Sequence, residues 1–437
     1  MDTLSQLRAG RLAGTTRLDL SCGLTSFPRE IFDLADTLEV LNVTNNRLSE
    51  LPQDLGRLRR LRILFCSANE FTELPAVLGE CENLRMIGFK SNRIEAVPES
   101  AFPPSLRWLI LTDNRIRRLP VSIGRCGALQ KLMLAGNHLE DLPDEMAACT
   151  NLELVRLAAN RFQSLPAWLL SLPRLSWLAA SGNPCSSAPR ESTGMTSIDW
   201  ADIELDESLG EGASGMIYRA RCRSVSDSGA LPVAVKVFKG AVTSDGFPES
   251  ELAAWSAAGA HPNLIGLLGR IENHPEGACG LVMSLVDSGF GPLASPPDFE
   301  SCTRDLYPDD RRFDLTTVLR LAIGVSSAAE RLHARGIMHG DLYAHNVLWN
   351  PDGTCLLGDF GAATFYPPAA SSAMERIEVR AFGCLLEELV ARIVDDAGKA
   401  VALDALRSLH ARCITTDVGS RPSFAEVSSE LDRLARW

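Results

Sequence analysis

The sequence predicts an α/β solenoid of stacked parallel strands, followed by an α+β domain of two lobes. Two observations carry this. Asparagines at 46, 69, 92, 114, 137, 160 and 183 are separated by 23, 23, 22, 23, 23 and 23 residues, and a period of that length marks a repeat architecture. Beyond residue 202 the period stops. A strand–glycine turn–strand pattern replaces it, and further on the amphipathic segment 315–335 reads as one long helix. The stretch 184–202 is rich in Ser, Thr and Pro and reads as a connection. The expected limits are 1–190 for the array, 191–202 for a linker and 203–437 for the second domain.

Each asparagine sits in the pattern LxxLxLxxNxL, as in Leu38, Leu41, Val43, Asn46, Leu48 and in Leu106, Leu109, Leu111, Asn114, Ile116. An apolar–proline pair follows at 51–52, 74–75, 97–98, 119–120, 142–143 and 165–166. This resembles a leucine-rich repeat, with a weaker copy opening at Leu18. The repeat physics calls for one short strand per copy, a return segment started by proline, and an asparagine ladder bonding the turn backbone. Cys81, Cys126 and Cys149 recur twelve residues after a ladder asparagine, where other copies carry Leu58 or Leu172. They read as core fillers, not ligands.

Function in such an array belongs to the strand positions of the concave face. One column reads Val40, Ile63, Met86, Trp108, Lys131, Leu154, Trp177; the next reads Asn42, Phe65, Gly88, Ile110, Met133, Arg156, Ala179. So apolar a surface is seldom left uncovered on a soluble monomer. Either the second half or another copy covers it, or it takes a protein ligand. The second reading is favoured, with Phe65, Trp108, Ile110 and Trp177 as anchors.

A formal net charge of -12 argues against nucleic-acid or general membrane binding. The first residues lack a signal-peptide core, and no run reaches the ~20 apolar residues that span a bilayer. Both halves are therefore expected in one compartment, the cytoplasm. The twelve cysteines contain no CxxC pair, so reduced thiols are expected rather than zinc or disulfides. Only five of 43 basic residues are lysines, which singles out Lys236 in the apolar strand VAVKVF at 233–238, where a buried ammonium needs a partner.

Four motifs follow in order: GEGASGMIY at 210–218, VAVK at 233–236, HGDLYAHN at 339–346 and DFG at 359–361. Together they supply a phosphate cover, a cation, a base and two metal ligands, which is what phosphoryl transfer from ATP requires. A lone GxGxxG would be weak evidence. In this order and number, the motifs make residues 203–437 resemble the protein kinase family, with CITTD at 413–417 and GSRPSF at 419–424 resembling its closing helical signature.

The resemblance implies ATP and Mg²⁺ as cofactors. It makes Leu209 a nucleotide-binding residue and sets Gly210, Glu211, Gly212, Ala213, Ser214 and Gly215 in the turn that covers the phosphates. Ile217 and Ala234 would lie on one adenine face and Leu348 on the other, with Met283 as gatekeeper and the backbones of Ser284 and Val286 bonding the base. Lys236 would hold the α- and β-phosphates, aligned by Glu251, with Glu249 as the alternative. Asp341 would be the base; Asn346 and Asp359 would bind the metal. The Pro- and Gly-rich stretch 287–308 has no assigned role.

The sequence departs from the family at four points. Gly340 replaces the arginine that in many kinases receives a phosphorylated activation loop. Tyr343 stands where serine/threonine kinases usually carry Lys and tyrosine kinases Ala or Arg, so the acceptor, Ser/Thr or Tyr, stays undecided. Glu378 replaces an Asp that braces the catalytic loop. Only 18 residues separate Asp359 from Glu378, too few for a usual activation segment and an Ala-Pro-Glu motif. The expected function is a protein kinase whose repeats recruit partners or substrates. The alternatives are a pseudokinase scaffold and a small-molecule phosphotransferase.

Overall fold

Leucines spaced to alternate inward along three-residue strands shape the first half of the chain, as seen in a computed structural model. It describes residues 2–186, 195–212, 214–225, 229–240, 243, 245–394 and 400–436. The chain forms two compact units, Met1–Leu172 and Pro173–Trp437.

In the first unit, helix α1 (Thr3–Arg8) precedes strands β1 (Arg17–Asp19), β2 (Val40–Asn42), β3 (Ile63–Phe65), β4 (Met86–Gly88), β5 (Trp108–Ile110), β6 (Lys131–Met133) and β7 (Leu154–Arg156). Each pairs in parallel with the next, without register shifts. The middle residue of every strand is buried, as Leu41, Leu64, Ile87, Leu109, Leu132 and Val155 show. Proline starts the returns, which are 3₁₀ turns such as Ala76–Glu80 and Val121–Arg125, and the short helix α2 (Ala167–Leu170). Cys81, Cys126 and Cys149 are buried there, and burial pushes their thiols up to about 11, 12 and 11.

The asparagine ladder uses both ends of the amide. Asn137 donates through Nδ2 to the Leu111 and Leu134 carbonyls, both at 2.9 Å, and its oxygen accepts from the Ile116 amide at 3.0 Å. Buried backbone groups of adjacent turns are thereby satisfied.

The named anchors are less exposed than the strand pattern suggests. Phe65, Trp108 and Ile110 are half-buried. A Cβ at Gly88 would lie 2.6 Å from the Phe65 ring, so Phe65 rests over that glycine. The Lys131 ammonium sits 4.2 Å above the Trp108 ring, whose indole nitrogen faces the Met133 sulfur at 3.4 Å.

The second unit opens with the last repeat strand, β8 (Trp177–Ala179), and then β9 (Ser197–Asp199). Here the expected linker is corrected. β9 pairs in parallel with β13 (Leu267–Glu272), and Ile198 is fully buried in the core beneath that sheet. An apolar residue at the centre of a short strand turns the end of the connection into a sheet edge. The rest of the sheet comprises β10 (Ile203–Glu211), β11 (Gly215–Cys222), β12 (Leu231–Phe238) and β14 (Gly280–Ser284), in the order β10-β11-β12-β14-β13-β9. Helix α3 (Pro248–Ala258) follows β12.

The helical lobe contains β15 (Gly291–Pro292), α4 (Leu315–His333), β16 (Ile337–Met338), β17 (Val347–Trp349), β18 (Cys355–Leu357) and β19 (Thr364–Phe365), then α5 (Ser371–Val390), α6 (Ala400–Cys413) and α7 (Phe424–Leu434). Asp314 caps α4 through the Thr317 amide, and Ser423 with Glu426 forms a capping box on α7. The segment 287–308 is structured in part: β15 pairs with β17, and Ser295 bridges Leu306.

Candidate active site

The glycine motif spans the β10–β11 turn, as strand–turn–strand. Gly210 and Gly212 have open space where a Cβ would stand, apart from one carbonyl 3.9 Å from Gly212. Gly215 is constrained differently: a Cβ there would lie 2.5 Å from the Val237 carbonyl, so glycine is needed for packing on β12. Beneath the turn lies a cavity of about 470 Å³. Leu209, Gly212, Ser214, Gly215, Ile217, Ala234, Lys236, Met283, Ser284, Val286, Leu348 and Asp359 line it. Gly210 and Glu211 do not; the Glu211 carboxylate pairs with Lys239. Ala213 lies outside the described residues.

At the back of the cavity three charges meet. The Lys236 Nζ is 2.6 Å from Glu251 Oε1 and 3.6 Å from Asp359 Oδ1. Lys236 and Glu251 are buried, whereas the Asp359 side chain is 49% exposed to the cleft. Burial pulls the Lys236 pKa down, but Asp359 and Glu251 outweigh it and raise it overall. Burial pushes the Glu251 carboxyl up to about 7 against the pull of Lys236. Partial desolvation at the back of the cleft works to raise Asp359, yet Lys236 and the Gly361 amide hold its carboxyl below the usual range. We take Lys236 as the firmly charged member, since two carboxylates share one ammonium. Asp359 has φ 55°, the left-handed region that costs a non-glycine residue energy and clusters at functional sites. Glu249, the alternative partner, instead lies near the Cys279 sulfur at 3.9 Å.

The loop before β17 carries Asp341. Its geometry is set from both sides. The amide of Asn346 donates to the Asp341 carbonyl and to Oδ2, each at 2.9 Å. His339 Nε2 donates to the Gly358 carbonyl at 2.9 Å, so its Nδ1 is the acceptor for the Asp341 amide at 3.3 Å. The ring thus ties Asp341 to the residue preceding Asp359. Glu378, fully buried on α5, accepts from the amides of His339 at 3.0 Å and Gly340 at 2.6 Å and from His333 Nε2 at 2.8 Å. Burial alone would raise its pKa; these donors, His333 foremost, lower it.

The donor set suits ATP with Mg²⁺. At about 470 Å³ the cavity is roomy enough for a nucleotide, and Lys236 and Asp359 are among the residues lining it. Asn346 spends its amide nitrogen on Asp341, leaving the amide oxygen as the atom for a hard cation. Among the described residues no group of three or more metal-ligating side chains occurs. Two protein ligands suffice for a Mg²⁺ that keeps water and phosphate oxygens in its shell.

Residues 203–381 match the family model described as protein tyrosine and serine/threonine kinase, while 37–58, 82–139 and 127–184 match leucine-rich-repeat models. The chain carries leucine-rich repeats and a protein kinase domain. It is 24% identical over 284 residues to a probable serine/threonine-protein kinase, kinX, of Dictyostelium discoideum, covering 54% of this chain and 24% of that protein. It is 27% identical over 195 residues to the angiopoietin-1 receptor of Danio rerio, covering 42% and 17%. It is 29% identical over 168 residues to the serine/threonine-protein kinase mos of Xenopus laevis, covering 38% and 43%. The chain therefore spans less than half the length of each of these relatives.

Sequence reasoning missed two contributions to the surroundings of Asp341. The first is Asp305, from the stretch without an assigned role. Its carboxylate accepts from the His345 amide at 3.0 Å and pairs with His345 Nδ1 at 2.7 Å. Burial works against a charged His345, but Asp305 outweighs it and raises the pKa. The apolar neighbour Leu306 is itself exposed, so nothing local in the sequence singled Asp305 out as an inward-facing side chain. The second is β8. Trp177, expected on the exposed concave face, is 1% exposed and stacks on Tyr343 with ring centroids 4.1 Å apart. That expectation is corrected: the space in front of this repeat-strand position is filled by a side chain of the loop that carries Asp341. Finally, among the described residues no helix is long and apolar enough to cross a membrane.

Proposed function

We propose that this chain is an ATP- and Mg²⁺-dependent protein kinase of the cytoplasm whose repeats recruit protein partners or substrates. The observation that carries the reading is the buried Lys236–Glu251 pair at 2.6 Å beside Asp359, at the back of a nucleotide-sized cavity. An isolated buried ammonium would be costly; paired and turned toward the cavity, it is placed to receive phosphate oxygens. Leu209, Ile217, Ala234, Met283 and Leu348 offer apolar faces to a base, and the backbones of Ser284 and Val286 its hydrogen bonds. Asp341 takes or orients the acceptor hydroxyl proton, held in place by Asn346 and His339. Mg²⁺, held by Asp359 and Asn346, would neutralise charge on the transferred phosphoryl group.

Leucine-rich repeats generally mediate protein interactions, and Phe65, Trp108 and Ile110 are the proposed contacts on this array. A second reading, a scaffold that binds nucleotide without transferring phosphate, is favoured by one observation: the 18 residues between Asp359 and Glu378.

Purified full-length protein with γ-labelled ATP and Mg²⁺ separates the two. Transfer to protein should be lost on Asp341→Asn by roughly 10²–10⁴-fold while nucleotide binding stays intact. Binding without transfer in the unsubstituted chain would favour the scaffold, and transfer undiminished by the substitution would remove Asp341 from its role.

A further inference from the structure

We propose that Trp177, in the last repeat strand, is a positioning residue for the catalytic loop of the kinase domain. The claim rests on the kinase reading above and adds a structural element to it. The strand and its flanks touch the loop on both sides of Asp341. On the N-terminal side, Gly340 has φ +76°, and a Cβ there would lie 2.6 Å from the Leu178 carbonyl and 2.7 Å from that of Ala362. Any side chain at 340 would displace the strand. On the C-terminal side, the Trp177 indole donates to the Leu342 carbonyl at 3.0 Å, and its ring lies nearly parallel to Tyr343, at 6°. Just beyond, the Ala180 amide donates to Thr364 Oγ1 at 2.9 Å, fixing the segment after Asp359. Arg380 on α5 donates to Ser176 Oγ at 2.6 Å, and Arg421 to the Pro173 carbonyl at 2.7 Å.

Two departures from the family pattern are thereby joined. The missing arginine at 340 and the short segment after Asp359 remove the means by which many kinases order this loop. The space left by the first admits a strand, and that strand bonds the second. The geometry favours support over blockade. With the strand seated, the Lys236–Glu251 pair is closed at 2.6 Å and Asn346 still bonds Asp341 Oδ2 at 2.9 Å. Tyr343, unreadable as a substrate-class residue, has a different job: it is the platform for Trp177.

The test uses the full chain with W177A and W177F. Phenylalanine keeps most of the ring stack and loses the indole donor. Four readouts are taken: steady-state transfer from γ-labelled ATP, MgATP affinity by calorimetry, melting temperature, and amide hydrogen exchange over residues 338–346 and 362–366. Positioning by Trp177 predicts that W177A lowers kcat by roughly 10- to 100-fold, as small misplacements of reacting groups do. The KM for ATP and MgATP affinity should stay within about twofold, exchange in both segments should rise, and W177F should fall between. A structural role alone would lower the melting temperature without splitting kcat from KM. Should W177A fail to fold, W177F decides on the same readouts. Unchanged kcat with unchanged exchange overturns the proposal, and so does a rise in kcat, which would make the strand a blockade. If the unsubstituted chain transfers no phosphate, the kinase reading fails on that result, and the exchange of 338–346 alone decides whether Trp177 orders the loop.

Discussion

Replacing Glu378 by Gln keeps the shape of the brace and removes its charge. Three donors converge on this carboxylate, the amides of His339 and Gly340 and the His333 ring. A carboxylate accepts on both oxygens. An amide accepts on one and presents N–H groups on the other, so at least one buried donor faces another donor. Breaking a buried charged network from one side costs about 3–5 kcal/mol. A unit of this size shifts by about 2–4 °C per kcal/mol; taking the lower cost, the melting temperature should fall by about 6–12 °C. Glu378→Asp, one methylene shorter, should fall between. The acid dependence gives a second check. Because the folded-state pKa of Glu378 is lowered, its contribution is complete above the unfolded carboxylate range and is lost as pH falls through the folded value. Scanning calorimetry from neutral to acid pH should therefore show that part of the acid loss missing in the Gln variant. A neutral-pH melting temperature within about 1 °C of the original, with the same acid profile, would refute the brace.

Asp359→Asn should weaken MgATP binding by at least about tenfold, read by calorimetry, because it removes a charged ligand rather than the base; equal affinity would remove Asp359 from the metal site. Asp305→Asn should loosen His345. Since Asp305 raises the His345 pKa, the pair's contribution is complete below the ordinary histidine value and is lost as pH rises through the folded one. The variant's stability deficit should shrink toward alkaline pH, and a deficit constant across pH would contradict the pairing. Trp108→Ala should cost about 1–2 kcal/mol, as a half-buried ring would, and lower the capture of protein partners on the immobilised full chain; capture unchanged would move the binding surface elsewhere.

Local patterns determined much of this protein. The spacing of seven asparagines and their leucines specifies the strand array, because one side chain per turn must satisfy the same backbone groups in every copy. Glycine spacing, an isolated lysine in an apolar strand and the order of four short motifs single out Lys236, Asp341, Asn346 and Asp359. The choice of Glu251 over Glu249 was legible only as a preference. Two residues apart on a helix they point in different directions, and packing of α3 decides which one reaches Lys236. Tertiary structure alone decided the rest. Periodicity assigns Trp177 the same exposed face as Trp108, since it encodes only which way a side chain leaves its own strand. What lies opposite is set by residues far along the chain, where Leu342, 165 positions away, and Tyr343 meet it. The same holds for Asp305 and for Ile198: a Pro- and Ser-rich segment looks like a connection until a distant strand or histidine supplies its partner.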